Sequence, residues 1–589
     1  MLFLTRLFRL SRREYRRRRS SLQTCLSEIQ QFEARQMPAA AAAVAHEWNT
    51  ILLDCIRDQK SAPPIASRAM AITSAAIFEA VNAIDGSYAS NIRFPLASGS
   101  ASMPAAAAAA AFNTLATLFP ARNTILETRF AQSIASIPDD SRRTAGIEVG
   151  QRAAARVLEI RASDGSTSTV AYTSGTDPGD WQKTPPAFLN PLLPQWGNVT
   201  PWVLSSSSQF RPAAPPKLDS SDYARDLNEV QQLGAVNSTA RTAEQTDIAK
   251  FWASGPGTAT PPGQWNMIAS IIAQEQQLSL PQTARMYAIL DMSLADAAVL
   301  CWNTKYHYDL WRPVTAIQKA DTDGNDKTTA DPDWMPLLAT PPFPTYTSGH
   351  STFSAVGATV LAGIFGTDNI TFTLPSEVSS VASRSFTSLS AAAAEAGRSR
   401  IFGGIHFEFD NVAGQISGRQ LGSLAVNTLL PMQARTRNAD GELRISGTAA
   451  DDTITIDASA ATISVYVNRR LSWSGPRSTV NSLNIDAGNG NDRISVSTAL
   501  ILSSWISGGN GDDRVYGGSG SDEIHGGSGK DFLCGRDGDD TIFGGLGDDR
   551  LDGGNGRNRL NGGAGRDVVI GNRTLDLFES DSLDQILYR

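Results

Sequence analysis

Two rhythms of apolar residues divide the chain. From about 39 to 435, apolar positions recur every three to four residues, as along 65–81 and 284–301, and Ala, Leu, Glu and Gln are abundant. That spacing predicts helices. Pro- and Ser-rich stretches at 185–216 and 321–344 interrupt it. They predict long loops, which in a helical domain commonly build sites. From about Thr436, short β-rich runs (453–456, 462–467) appear among Gly, Asp and Asn. From Gly508 a nine-residue period takes over: GGNGDDRVY, GGSGSDEIH, GGSGKDFLC, GRDGDDTIF, GGLGDDRLD, GGNGRNRLN and GGAGRDVVI. An imperfect copy, AGNGNDRIS, precedes it from Ala487. The eighth position is always apolar (Val515, Ile524, Leu533, Ile542, Leu551, Leu560, Val569) and predicts a single inward-facing row.

The predicted organisation is an Arg-rich leader over 1–38, a mainly α helical-bundle catalytic domain over 39–435, a β-rich lead-in over 436–506 and an all-β parallel solenoid over 507–589. A length of 589 residues is ample for this. The net charge of −8 argues against general nucleic-acid binding. Most of the acidic excess is C-terminal: from Trp505 onward sixteen Asp/Glu face nine Lys/Arg. The first nineteen residues hold eight arginines. Cys25, Cys55, Cys301 and Cys534 lie far apart without a CxxC pair, which gives no zinc site and no dense disulfide framework. No run of 18 apolar residues predicts a membrane-spanning helix, and the alanine runs at 39–45 and 104–111 are too short. The segment 321–326 (DTDGND) lacks EF-hand spacing and a distal Glu and is read as a turn.

The nonapeptide pattern Gly-Gly-x-Gly-x-Asp-x-apolar-x has a direct physical meaning. Glycines permit tight turns with positive φ and expose carbonyls at close range. The sixth-position carboxylates Asp513, Asp522, Asp531, Asp540, Asp549 and Asp567 stack turn upon turn. That ladder repels itself unless calcium lies between the turns. The pattern resembles the calcium-binding β-rolls of the RTX family. Asn558 replaces the aspartate of one copy and Arg536 a glycine of another, so those turns are expected to hold calcium poorly. Extracellular calcium modules fill at roughly 0.1–1 mM, which the cytosol does not supply. The roll therefore implies export. The leader, which carries Phe32-Glu33-Ala34-Arg35, resembles those of exported bacterial proteins and implies an export machinery as partner.

Three patches carry the chemistry of a tetrahedral oxyanion. They are Lys305 with Arg312-Pro313, then Ser348-Gly349-His350, then Ser399-Arg400 with His406 and Asp410. Together they offer three cations, two imidazoles, a hydroxyl and a glycine amide, the donors a phosphate-like ion needs. The apolar run after His350 predicts a helix whose N-terminus presents Ser348 and Gly349 to the anion. Asp410, four residues after His406, shares its helical face and can fix its tautomer. For a lone His or Arg the default is a surface ion pair or a core histidine, and His46, His307 and His525 are read that way.

These patches resemble the vanadium-dependent haloperoxidases, which share a fold with type-2 phosphatidic acid phosphatases and bacterial acid phosphatases. The likeness extends over about 39–427, including 306–317 (YHYDLWRPVTAI), 341–353 and 400–422. It implies two helical bundles and vanadate as cofactor. Lys305, Arg312, Arg400, Ser348 and Gly349 would surround the anion, with His406 the axial ligand and His350 the acid–base group. Hydrogen peroxide and a halide would be the substrates, with Lys305 polarising the peroxide, and hypohalous acid passing to an organic acceptor. Trp302 and Phe343 match the chloroperoxidase branch, where they line the halide region. Thr347 departs from the proline usual before Ser-Gly-His. Two alternatives share these residues: a phosphatase with His406 as nucleophile and His350 as proton donor to the leaving alcohol, and a non-catalytic calcium-dependent surface or matrix protein.

Overall fold

The computed structural model describes residues 42–92, 94–97, 100–430, 435–436, 441–448, 450–579 and 583–589. The arginine-rich leader expected over 1–38 lies outside them. Helices come first: α1 (42–59), α2 (Pro63–Asp85), α3 (Met103–Leu118), α4 (Asn123–Ala135), α5 (Ser141–Arg161), α6 (Ser221–Gly234), α7 (Ala243–Phe251), α8 (Thr260–Glu275), α9 (Leu280–Tyr308), α10 (Pro313–Gln318), α11 (Gly349–Phe365), α12 (Leu389–Phe402) and α13 (Glu408–Thr428). The loops expected over 185–216 and 321–344 contain only single 3₁₀ turns.

Local chemistry sets the helix ends that matter for the site. Long α9 starts at a capping box of Ser279 and Gln282 with Pro281 in its first turn, where a missing N–H costs nothing. It ends at Asp309 in the left-handed region (φ 51°). Helix α11 starts at Ser348, whose hydroxyl accepts from the Ser351 N–H, and ends on Gly366 (φ 71°). Small residues bring helices close. A Cβ on Gly418 of α13 would lie 2.6 Å from the Thr352 carbonyl oxygen of α11, and one on Gly414 would lie 2.9 Å from the Ser348 oxygen. The alanine run of α3 is wholly buried against α5, where a Cβ on Gly150 would meet the Ala106 oxygen at 2.3 Å. That run is core. Among the described residues no helix is long and apolar enough to cross a membrane.

The C-terminal part is a parallel β-solenoid. From strand 482–486 onward, successive strands alternate between an eight-stranded and a nine-stranded sheet; before it, 453–458, 462–467 and 470–476 form an antiparallel run at the end of the nine-stranded sheet. Val515, Ile524, Leu533, Ile542, Leu551, Leu560 and Val569 are all at most 1% exposed and form the row between the sheets, as the period predicts. Both sheets extend back without a break through strands 442–446 and 453–458, so the lead-in region and the repeats share one core. Side chains stack with the same continuity. Each ladder residue accepts the backbone N–H of its counterpart one full turn earlier, 18 residues away within the repeats: Asp531 from Asp513, Asp549 from Asp531, Asp567 from Asp549, each at 2.8 Å. A second ladder runs Asp522, Asp540, Asn558, Asp576. The first ladder also takes in Asp452 and Asp492 at one end and Asp584 at the other, outside the regular period. The roll touches the helical domain where Asn489 donates to the Gln276 carbonyl (3.0 Å) and Ser87 meets Ser446 (2.6 Å).

Gly150→Ala tests the close approach of α3 and α5. Alanine adds helix propensity of about 1 kcal/mol, but overpacking against three fixed atoms costs about 1–3 kcal/mol. A net loss is expected, read as a lowered denaturation midpoint. Gly255→Ala, with nothing within 4 Å, should leave the midpoint unchanged.

Candidate active site

The C-terminal end of α9, the entry to α10, the 343–348 loop and the facing ends of α11, α12 and α13 come together around one cluster of buried charge. Lys305, Arg312, Arg400, Ser348, His406 and Asp410 are at most 2% exposed. Arg312 donates through Nε to the Phe343 carbonyl (2.7 Å) and through Nη1 to the Ile405 carbonyl (2.8 Å), with His406 Nε2 at 3.2 Å. Its Nη2 is buried and has no partner. Arg400 is held by Ser399 Oγ (2.8 Å) and the Ala249 carbonyl (3.0 Å).

His406 is fixed on one side. Its Nδ1 lies 2.8 Å from Asp410 Oδ2 and 3.1 Å from Thr345 Oγ1. The same carboxylate oxygen accepts from Thr345 Oγ1 (2.5 Å) and the Phe407 N–H (3.1 Å). A proton on Nδ1 leaves Nε2 with its lone pair toward the cations. The His406–Asp410 pairing is present, but not on a shared helical face as expected: His406 lies in the loop before α13, whose N-cap is Phe407, and Asp410 in the first turn reaches back to it. Thr345 was not read, because a threonine in a loop carries no spacing signal. His350 begins α11 and is half-buried. It is hydrogen-bonded to the Trp252 backbone, and its Nε2 is buried without a partner. Ser348 Oγ accepts from the Ser351 N–H (3.3 Å) and lies 2.9 Å from Ser351 Oγ, whose single proton serves either Ser348 or Asn411. Asn411 Oδ1 anchors Ser351 at 2.8 Å, a second contact the sequence did not flag. A Cβ on Gly349 would meet only Cys301 Sγ and Phe353, both at 3.9 Å, so space is open beside that amide.

Lys305 differs from the expectation that it faces the anion. Its ammonium donates to the carbonyls of Pro344 (2.9 Å), Thr345 (2.8 Å) and Thr347 (2.5 Å), which takes all three of its protons. The cause is burial: an ammonium out of water must place every N–H on an acceptor. Thr347, where proline is usual, thus contributes a carbonyl to the cage. Phe343 lies under both cations, 4.7 Å from Arg312 and 5.0 Å from Lys305, and Trp302 packs behind it with ring centroids 4.9 Å apart. The bland readings of the other histidines fit their surroundings: His46 Nδ1 meets Tyr287 OH at 2.9 Å and His525 pairs with Glu523.

The electrostatics follow from the count. Three buried cations face one buried carboxylate. Burial pushes Lys305 down to about 7, Arg312 to about 10 and Arg400 to about 9. Burial, and then the neighbouring cations, holds both histidines well below their usual value; His350 is pressed first by Arg400 and His406 first by Arg312. Asp410 is raised to about 6 by burial. Neutral imidazoles beside unpaired cations form a receptor for an oxyanion that can also take a nitrogen ligand. The partnerless Arg312 Nη2, the open Gly349 side and the His406 Nε2 that faces Arg312 fit vanadate.

The roll poses the opposite charge problem. Oδ2 of Asp513, Asp531, Asp540 and Asp549 is buried without a partner, whereas Asp522 Oδ2 accepts the Gly518 N–H. At the first glycine of each copy only a missing side chain leaves room: a Cβ on Gly526 would lie 2.4 Å from Asp531 Oδ2 and 2.6 Å from the Gly544 carbonyl oxygen. Such cradles of carboxylate and carbonyl oxygens fit calcium. The Arg536 copy keeps its cradle, because Asp540 Oδ2 and the Gly553 oxygen remain beside Gly535 and the guanidinium reaches away to the Val496 and Gly517 carbonyls. In the Asn558 copy the amide nitrogen faces the cradle (2.8 Å from a Cβ on Gly553), which disfavours a cation as expected.

Comparison with known proteins agrees with both sites. Residues 285–433 match the VCPO second helical-bundle domain, and 504–533 and 534–569 match the RTX calcium-binding nonapeptide repeat. The vanadium chloroperoxidase of Curvularia inaequalis is 28% identical over 188 residues; the match spans 27% of this chain and 30% of that protein's length. A bacterial vanadium-dependent iodoperoxidase structure is 30% identical with a TM-score of 0.60, covering 66% of this chain and 97% of its own. A bacterial vanadium-dependent chloroperoxidase in its holo form shares the fold at 16% identity and a TM-score of 0.51, over 62% and 92% of the two chains. Charge, geometry and kinship converge: this chain, with its RTX-type roll, belongs to the vanadium-dependent haloperoxidase family.

Proposed function

We propose that the protein is a secreted vanadate-dependent haloperoxidase that uses hydrogen peroxide to oxidise chloride or bromide to hypohalous acid. The observation that carries this reading is His406: Nδ1 is locked by Asp410, and Nε2 faces Arg312, whose Nη1 lies 3.2 Å away and whose Nη2 is buried without a partner. Arg312, Arg400, Ser348 and the Gly349 amide would hold vanadate, and Nε2 of His406 would be its nitrogen ligand. Bound vanadate supplies a Lewis acid for peroxide. Lys305 adds positive charge and shapes the 344–347 carbonyl cage. His350, with Nε2 facing inward and a depressed basicity, accepts and returns a proton on the other side. Phe343 and Trp302 supply the apolar wall for halide, and an organic acceptor takes the hypohalous acid. The roll supports secretion, because its carboxylates call for calcium at extracellular levels.

A monochlorodimedone assay with chloride, bromide and iodide, with and without vanadate, tests the activity. Vanadate-dependent halogenation is expected, lost in His406→Ala by at least a hundredfold and not restored by excess vanadate. Hydrolysis of p-nitrophenyl phosphate without vanadate, and without any halogenation, would establish the phosphatase instead.

The charge of Lys305 makes vanadate binding pH-dependent. Its folded-state value near 7 means the empty site loses this charge as pH rises through neutrality, so affinity should fall between pH 6 and 9. Titrated by vanadate binding, Lys305→Met should bind more weakly and flatten that fall. An unchanged slope would exclude Lys305 as its source.

Calcium removal probes the roll. Each site filled at a hundred times its Kd adds about 2.7 kcal/mol. Excess chelator should therefore abolish the β circular dichroism of the roll and lower its melting temperature, with recovery on adding calcium. An identical spectrum in chelator would count against calcium-dependent folding.

A further inference from the structure

Both outer faces of the solenoid carry paired charges, Asp552 with Arg589 among them on the nine-stranded sheet, but one column is left unpaired. On the eight-stranded sheet, charged side chains have neighbours of opposite or ionisable type: Glu442 with Arg444, Glu523 with His525, Arg559 with Glu579. On the nine-stranded sheet, Arg493 and Arg514 are in register on adjacent strands, followed by Phe532 and then Arg550. All three arginines are exposed, and none has a carboxylate partner among the described residues. Tyr516 lies alongside, its ring 5.5 Å from that of Phe532 and 5.6 Å from the Arg493 guanidinium.

In-register like charges on neighbouring strands repel and lower stability. A chain with a net charge of −8 and exposed aspartates on the same roll could have paired these arginines, yet the column stays bare. An external anion relieves the repulsion. The flat partly exposed rings between the guanidinium forks add a second requirement, a partner with planar apolar faces at short, regular intervals. A chain of pyranose rings meets it, since its advance per ring is close to the strand spacing of about 4.8 Å. Sulfate and carboxylate groups suit the bidentate geometry of arginine.

We propose that this face of the solenoid binds an acidic polysaccharide, with its sulfate or carboxylate groups on Arg493, Arg514 and Arg550 and its sugar rings against Tyr516 and Phe532. The surface is separate from the anion site of the helical domain and does not depend on that site's chemistry. It gives the roll a docking role besides calcium-dependent folding.

The test is binding of the calcium-loaded full chain to chondroitin sulfate, by affinity electrophoresis, against uncharged dextran. Retardation by chondroitin sulfate alone is expected, weakening as salt rises. The double variant Arg514→Ser/Arg550→Ser should bind at least tenfold more weakly. Its melting temperature should equal or exceed that of the parent, because removing guanidiniums relieves repulsion, and this separates lost binding from lost folding. Arg493→Ser should weaken binding independently. Unchanged binding by these variants, or tighter binding to single-stranded DNA or to phosphatidylserine vesicles than to chondroitin sulfate, would overturn the proposal.

Discussion

Uncompensated positive charge in the helical domain is the constraint around which the site is built. Lys305, Arg312 and Arg400 are buried around the same two histidines, and among the described residues Asp410 is the one carboxylate that acts on Lys305 and Arg312. Burying such charges without partners would cost several kcal/mol each, so the surroundings supply partial charges wherever a full counter-charge is missing. Backbone carbonyls do most of this work: Phe343 and Ile405 for Arg312, Ala249 for Arg400, and Pro344, Thr345 and Thr347 for Lys305. Carbonyl dipoles stabilise a cation without cancelling its field. The site therefore stays attractive to an anion while its side chains stay fixed, which is the preorganisation that electrostatic catalysis needs.

The roll applies the same logic with the sign reversed. Its ladder carboxylates accept a backbone N–H through Oδ1, which fixes each turn on the next, and most leave Oδ2 bare. Desolvation, with neighbouring carboxylates adding to it, raises Asp513, Asp540 and Asp549 to about 7. One oxygen builds the solenoid and the other makes it ion-dependent. Asn558 shows the division within a single residue: its Oδ1 keeps the structural bond to the Asp540 N–H, while its nitrogen cannot serve a cation.

Much of this was legible in the residues, for reasons that can be named. The solenoid was legible because each turn repeats the same demand at a fixed period. Its extension back to 442–446 was not, since those strands keep the inward apolar alternation but lack the glycine turns that advertise the register. The anion site was legible where spacing encodes proximity, as in Asp410 reaching back from the first turn of α13 to His406 just before it, or Ser348 at a helix start. Thr345, Asn411 and the Trp252 backbone escaped because they reach the site through loops or from other helices. The placement of Arg536 was not legible, because a sequence pattern records which residue occupies a turn but not where a long side chain goes; here its guanidinium takes the Val496 and Gly517 carbonyls.

Lys305 shows how position and charge become inseparable in such a site. It closes the last turn of α9, while the loop it grips leads directly into Ser348 and the N-terminus of α11. That loop is tied from the other side, where the Ser348 N–H bonds the Asp410 carbonyl (3.1 Å) and Thr345 bonds the Asp410 side chain. One ammonium thus orients the hydroxyl and amide donors of α11 and, through Thr345, the carboxylate that sets the tautomer of His406. A neutral side chain of equal length would remove more than one charge: three carbonyls would lose their donor, and the loop would lose the reason for its shape. The donors that meet an anion and the base that ligates it are then two ends of one hydrogen-bonded frame, and α9 is the element that holds it in register.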